Sequence, residues 1–131
     1  MAEPFLFINT YTIKPGKADA YRQKFREVAE IVEAKEPQML YFAHHESEDG
    51  VTGTTVQVHA HPDNMAFHMQ LVGEHISQAA EYLNFSSLSI RIYGTPTDAI
   101  LNHIRQLAGS GVSVTVSPPV VAIDRFPDIS T

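Results

Sequence analysis

Hydrophobic and polar residues alternate along the first half of the chain in patterns that predict a strand, a helix and a hairpin. Residues 5–13 are mostly apolar at the two-residue period of a strand whose two faces are both covered. Between residues 21 and 32 the apolar positions recur at helical spacing, with charged residues between them. Pro37 ends this helix, and residues 39–46 and 54–60 then predict two paired strands.

The second half of the chain predicts another helix and another strand. Pro62 begins a helix whose apolar stripe is interrupted at Gly73, which predicts a bend or break within residues 72–75. Residues 88–93 alternate as a fourth strand. The order strand, helix, strand, strand, helix, strand indicates an α+β fold with an antiparallel sheet.

This arrangement covers one face of the sheet with helices and leaves the other face bare. An apolar sheet face needs a covering partner, so the pattern predicts a homodimer. Residues 96–131 are too few to bury a core alone, and we expect them to extend a domain spanning residues 1–95. They predict a helix over 98–108 and a strand over 112–116 that docks along a sheet edge of its own subunit or of the partner.

Composition narrows the classes of function. The 131 residues carry a net charge of -6 with only nine Lys and Arg, which argues against nucleic acid as a partner. Cysteine is absent, so disulfides, thiolate metal sites and Cys nucleophiles are excluded. No stretch approaches the ~18 apolar residues of a membrane helix, and residues 1–4 lack the basic start of a signal peptide. We therefore expect a cytoplasmic protein with no membrane partner.

Asn9 is the first candidate site residue, because a carboxamide in so apolar a strand must find hydrogen-bond partners or cost stability. It either contacts a ligand or ties down a neighbouring backbone group. Tyr11 shares its strand face by the two-residue period. Arg91 pairs across the sheet or meets an anionic substrate.

The seven histidines raise a metal alternative. His59 and His61 are two residues apart on a predicted strand, and His44 or His45 of the hairpin partner would bring a third imidazole near them. No Asp or Glu completes such a set, so we expect no metal. His68 and His103, on predicted helices, are expected to face solvent.

The segment Phe-Ile-Asn-Thr-Tyr-Thr-Ile-Lys-Pro-Gly-Lys over residues 7–17, the helix that follows it, and Ala66-Phe67 with Glu74-His75 resemble the antibiotic biosynthesis monooxygenase superfamily. The resemblance covers residues 5–95. It implies a ferredoxin-like fold that pairs into a dimeric α+β barrel, with a ligand pocket between helices and sheet. Members include cofactor-independent oxygenases of aromatic substrates, haem-degrading enzymes and proteins without a known activity.

The resemblance also implies roles for single residues. Asn9 stands where oxygenases of the superfamily often place a strand asparagine, and His75 resembles the histidine of a frequent Ser-Pro-His pattern, here Gly-Glu-His. Where many members carry a second histidine, or a tryptophan in the haem degraders, this chain has Gln70. The chain contains no Trp, and the position of the haem-ligating histidine reads as Ala80, which disfavours haem degradation.

We therefore expect a cofactor-independent monooxygenase that oxidises a small aromatic, phenolic or quinol substrate with dioxygen. His75 would take the proton and Asn9 would donate to the anion, unless His75 merely caps its helix. The residues expected to bind substrate are Tyr11, Gln70, Phe67 and Arg91. The alternatives are a non-catalytic small-ligand-binding or stress-related barrel protein, and a metal-dependent protein that uses the hairpin histidines.

Overall fold

The fold is described over residues 3–108 and 111–126 by a computed structural model. In chain order the elements are β1 (Phe5–Ile13), α1 (Ala18–Lys35), β2 (Met39–Glu46), β3 (Thr52–His59), α2 (Pro62–Gln78), β4 (Leu83–Tyr93), α3 (Asp98–Ala108) and β5 (Ser113–Ser117). A short 3-10 turn, Ala79–Glu81, joins α2 to β4. The predicted α+β order of β1 to β4 is confirmed.

One sheet with the strand order β2-β3-β1-β4-β5 organises the molecule. The first four strands pair antiparallel, and β5 adds to the edge of β4 in parallel. The helices cover one face, onto which β1 directs Phe5, Phe7, Tyr11 and Ile13, all buried. Asn9 lies on this same face at the centre of the sheet, because the strand period is two.

The C-terminal extension packs on its own chain. Ile100 and Ile104 of α3, together with Val112, join a core cluster with Phe5 and Phe7. β5 pairs with β4 from Ser89 opposite Ser113 to Tyr93 opposite Ser117. The predicted docking of this strand on a sheet edge is therefore seen within the subunit, whereas a domain boundary near residue 95 stays a prediction.

The predicted break in the second helix is wrong, because α2 runs without interruption through Gly73. A single glycine costs only about 1 kcal/mol relative to alanine inside a helix. Burial of Met65, His68 and Val72 along one stripe outweighs that cost. No helix among residues 3–108 and 111–126 has the length and apolar character needed to cross a membrane.

β4 begins at Leu83, earlier than the sequence predicted, and its first part follows an irregularity in the ladder. The register between β1 and β4 shifts between Thr10 and Thr12. There the Ser87 hydroxyl accepts a hydrogen bond from the backbone N–H of Thr12 at 2.9 Å. At this irregularity the side chain of Ser87 thus takes the place of a backbone acceptor in the pairing of β4 with β1.

A buried polar pair connects α1 to α2. Glu36, the residue that follows α1, accepts a hydrogen bond from Nδ1 of His68 on α2 at 2.7 Å, and the two residues are 4% and 1% exposed. The ring of His59 on β3 lies 6.0 Å from that of His68. The expectation that His68 faces solvent is wrong, since it shares the apolar stripe of α2.

Burial, and secondarily the neighbouring His68, lowers the pKa of His59 from 6.5 to about 3. Between about pH 3 and pH 6.5 the imidazole of His59 therefore binds a proton in the unfolded chain but stays neutral in the folded protein. The contribution of His59 to the free energy of unfolding is complete above pH 6.5 and is lost as the pH falls toward 3.

We expect His59→Gln to lose less stability than the wild type as the pH falls through this window, because glutamine does not titrate. Urea unfolding at several pH values measures the effect. His45→Gln, at an exposed position of β2, should keep the wild-type slope. Equal slopes in the wild type and His59→Gln would contradict a neutral buried His59.

Candidate functional site

A cavity of about 150 Å³ lies between the helices and the sheet. Its walls are largely apolar and come from β1, β2, β3 and β4 and from the helices α1, α2 and α3. The polar residues on its walls are Asn9, Tyr11, Tyr21, Lys24, Thr55, Gln57, His68, His75 and His103. Two larger hollows of about 490 and 420 Å³ lie around residues 35–42, but neither is lined by Asn9 or His75.

Asn9 and His75, the two candidates for catalysis, line this same cavity. Asn9 stands at the middle of β1, paired with Thr55 of β3 and Ile90 of β4. His75 comes from the last turn of α2. Asn9 Oδ1 and His75 Nδ1 are buried and have no hydrogen-bond partner within the described residues. The structure thus leaves two polar atoms available to a bound molecule.

Tyr11 lines the cavity two residues along from Asn9, but its hydroxyl is already engaged. It lies 2.7 Å from Thr55 Oγ1, 3.1 Å from the Tyr21 hydroxyl and 2.9 Å from His44 Nδ1. Burial raises the pKa of Tyr11 above its ordinary value of 10, with the neighbouring Tyr21 as the next cause. Tyr11 is therefore a neutral phenol at the cavity wall.

His44 continues this network away from the cavity. Its Nε2 atom lies 2.9 Å from Glu46 Oε2, and the two oxygens of Glu46 accept bonds from Arg22 at 2.8 and 2.6 Å. The Arg22 hydrogen bond is the main reason why the pKa of Glu46 falls to about 2. Burial lowers the pKa of His44, so its imidazole is neutral at pH 7.

Three residues expected to bind substrate lie elsewhere. Five residues at 100° each place Gln70 about 140° around a straight helix from His75, and Gln70 is exposed. Phe67 is 48% exposed and lines the hollow beside residues 35–39. Arg91 alternates with Ile90 onto the helix-free face, where it donates to Thr10 Oγ1 at 3.2 Å. Of the expected binding residues, only Tyr11 lines the cavity.

The described residues contain no group of three His, Asp or Glu side chains that could hold a metal ion. β3 ends at His59, so His61 does not share its strand face and instead caps α2 by accepting from the Asp63 N–H at 3.3 Å. His44 is held by Tyr11 and Glu46. The histidines of the metal alternative therefore do not converge.

Several polar groups at the cavity were not predicted as site residues from the sequence. Tyr21 was counted only as part of an apolar helix stripe, and its hydroxyl reaches the Tyr11 hydroxyl. His68 follows Met65 by three residues and precedes Val72 by four, a spacing that places it on the buried stripe. Thr55 and Gln57 share the inward face of β3, and alternation with Val56 and Val58 was the available signal.

Comparison with known proteins gives structural matches without sequence matches. No protein-family model matches the chain, and no curated protein matches it by sequence. MupZ from Pseudomonas fluorescens has a TM-score of 0.72 at 18% identity, with 95% of this chain and 91% of that chain covered. This coverage includes most of the C-terminal extension.

Other solved structures match the first part of the chain. A candidate antibiotic biosynthesis monooxygenase from Caulobacter crescentus has a TM-score of 0.64 at 16% identity, covering 73% of this chain and 92% of that one. SnoaB, a cofactor-independent oxygenase from Streptomyces nogalater, has a TM-score of 0.60 at 14% identity, covering 73% and 96%. The chain therefore has the ferredoxin-like fold of the antibiotic biosynthesis monooxygenases.

Proposed function

We propose that this protein is a cofactor-independent monooxygenase that oxidises a small phenolic or quinol substrate with dioxygen. The observation that carries the proposal is the cavity in which Asn9 Oδ1 and His75 Nδ1 are both buried with no hydrogen-bond partner in the part of the chain that the structure describes. An unpartnered buried polar atom costs about 1–3 kcal/mol. Ligand hydroxyl groups that donate hydrogen bonds to these two atoms would remove that cost.

The size of the cavity supports a substrate with one ring. A dry cavity of roughly 150 Å³ lined by apolar side chains holds a molecule the size of benzene, and the cavity here has a volume of about 150 Å³. Aromatic and aliphatic walls fit the ring faces, and the few polar atoms fit its hydroxyl groups.

The proposed reaction needs no external reductant. Loss of a proton makes a hydroquinone into an electron-rich anion, which passes one electron to dioxygen. The resulting radical and superoxide combine at a ring carbon, and the peroxide loses water. One hydroquinone and one dioxygen thus give one hydroxyquinone and one water, and the protein deprotonates, orients and shields the substrate.

Two side chains have roles in this reaction. His75 accepts the hydroxyl proton at Nδ1, since an unprotonated imidazole nitrogen is a proton acceptor. The amide N–H of Asn9 donates a hydrogen bond to the substrate oxygen and stabilises the charge that develops there, whereas Asn9 Oδ1 accepts from a ligand hydroxyl. The fold that the chain shares with SnoaB, described as a cofactor-independent oxygenase, supports the same class of chemistry.

A second candidate is a non-catalytic protein that binds a small aromatic ligand. The exposed position of Gln70 favours it, because the cavity then lacks one of the expected polar groups. Thermal shift against a metabolite library distinguishes the two candidates. A tight ligand that is recovered unchanged after incubation in air would favour binding alone.

We expect purified protein to consume dioxygen with single-ring hydroquinones, at one dioxygen per product. His75→Ala should lower the rate about 100- to 10,000-fold because it removes the base. Asn9→Ala should lower it about 100- to 1,000-fold because it removes the hydrogen bond to the anion. An oxygen electrode and product chromatography measure both.

Gln23→Ala, at an exposed position of α1, is the control and should keep the wild-type rate. Circular dichroism checks that the Asn9 and His75 variants remain folded. Oxygen uptake that does not exceed buffer across the hydroquinone panel would refute the proposed function.

The helix-free face of the sheet supports a homodimer as the working form. Leu6 pairs with Val58 and Ile8 with Val56, so four apolar side chains form a patch at the centre of this face. Thr10 and Arg91 lie beside the patch. A contiguous apolar patch on a protein surface marks an interaction site, and a second copy of the sheet would cover this one.

We expect the wild type to elute at twice the chain mass in size-exclusion chromatography with light scattering. Val56→Glu should shift the protein to the monomer, since it places a charge in the centre of the patch. Val51→Glu is the matched control, because this valine is 51% exposed before β3. A wild-type monomer at micromolar concentration would contradict the dimer.

A further inference from the structure

We propose that Tyr11, His44 and Glu46 form a proton relay that carries the proton of a bound phenol from the cavity to the protein surface. The relay rests on the proposed function, because it supplies a proton path for the same cavity. The relay accepts the proton of a second substrate hydroxyl, in addition to the hydroxyl whose proton His75 accepts.

The geometry is a continuous line of hydrogen bonds. The Tyr11 side chain is on the cavity wall. From its hydroxyl the line runs 2.9 Å to His44 Nδ1, and from His44 Nε2 another 2.9 Å to Glu46 Oε2. The Glu46 side chain is 16% exposed and its partner Arg22 is 43% exposed, so the line ends at solvent.

The direction of each hydrogen bond follows from chemistry. Glu46, with a pKa lowered to about 2, is a carboxylate at pH 7 and only accepts. His44 is neutral, so its single N–H must lie on Nε2 and donate to Glu46. His44 Nδ1 is then an acceptor and takes the hydrogen bond from the Tyr11 hydroxyl. The imidazole is therefore held in the tautomer that can receive a proton from the cavity side.

The Tyr11 oxygen is the entry point. In the resting protein it lies within hydrogen-bond distance of Tyr21 and Thr55, whose hydroxyl hydrogens can rotate away. A substrate hydroxyl replaces one of them. Its proton passes to the Tyr11 oxygen while the Tyr11 proton passes to His44 Nδ1. The products are a substrate anion and an imidazolium, and the step involves no oxidation or reduction.

The surroundings favour this step. The Glu46 carboxylate faces the imidazolium that forms and stabilises it, as a carboxylate does beside a catalytic histidine. Burial raises the pKa of Tyr11, so the phenol passes a proton on without resting as a phenolate. The other titratable groups around His44 are Tyr21 and Arg22 of α1 and His45 of β2, and both Arg22 and His45 oppose its protonation.

The pH dependence of the relay follows from His44. Its pKa is lowered from 6.5, mainly by burial and against the effect of Glu46. Above this lowered pKa the imidazole of His44 is unprotonated and accepts a proton. Below it the imidazole is already protonated, so the relay no longer accepts a proton from the substrate. Proton uptake from a bound phenol should therefore persist to pH values at which an exposed histidine is already charged.

4-Nitrocatechol under nitrogen tests the relay, because it is a single-ring probe with two hydroxyl groups, one for His75 and one for Tyr11, whose anion absorbs visible light and which needs no dioxygen. We expect the wild type to lower the apparent pKa of the bound probe by about one unit or more. His44→Gln and Glu46→Gln should each abolish most of that shift. His45→Gln, the neighbouring histidine on the same strand, should keep it.

Every outcome of this titration either supports or overturns the relay. A shift that depends on His44 and Glu46 but not on His45 supports the relay, even in a protein without oxygen uptake. An unchanged shift in both variants overturns the relay and leaves the proposed oxygenase standing on His75. A wild type that leaves the probe spectrum unchanged also overturns it. Circular dichroism confirms the fold, and Glu46→Gln serves as the conservative variant should His44→Gln unfold.

Discussion

The proposed chemistry depends on two buried polar atoms that line one cavity and have no hydrogen-bond partner among residues 3–108 and 111–126. Asn9 Oδ1 comes from the centre of the sheet and His75 Nδ1 from the end of α2. Each unmet hydrogen bond costs about 1–3 kcal/mol, which is large beside the marginal stability of a folded domain. The proposed function rests on the cavity that these two atoms share.

Polar and aromatic side chains around the cavity connect the helices to each other and to the sheet. Glu36 and His68 tie the end of α1 to the middle of α2. Tyr11 and Tyr21 meet edge to face at 5.8 Å and tie β1 to the start of α1. These contacts join the helices and the sheet at the cavity wall, which Tyr11, Tyr21 and His68 line.

The sequence predicts the order of the elements because strand and helix periods are local properties. Asn9 stood out because one carboxamide interrupts an apolar strand, and the cavity contains it. Gln70 was assigned to the site through an expected break at Gly73, and Phe67 through the resemblance to the superfamily. Since tertiary burial of α2 outweighs the cost of one glycine, the helix continues through Gly73, and both residues are exposed.

Other features depend on contacts between distant segments, and their signals in the sequence are weaker. His68 has a spacing that marks the buried stripe of α2, but its partner Glu36 lies 32 residues away. The network through Tyr11, His44 and Glu46 joins β1 to β2, which do not pair directly because β3 lies between them. Only the sheet order reveals that these side chains can meet.

The central claim is that a phenol enters the cavity and bonds to the imidazole of His75. Nitrogen NMR of protein labelled at histidine, titrated with phenol under nitrogen gas, measures this contact directly. We expect the His75 ring-nitrogen signals to shift and saturate, while those of exposed His45 stay in place. Saturating phenol that leaves the His75 signals unmoved would contradict the claim.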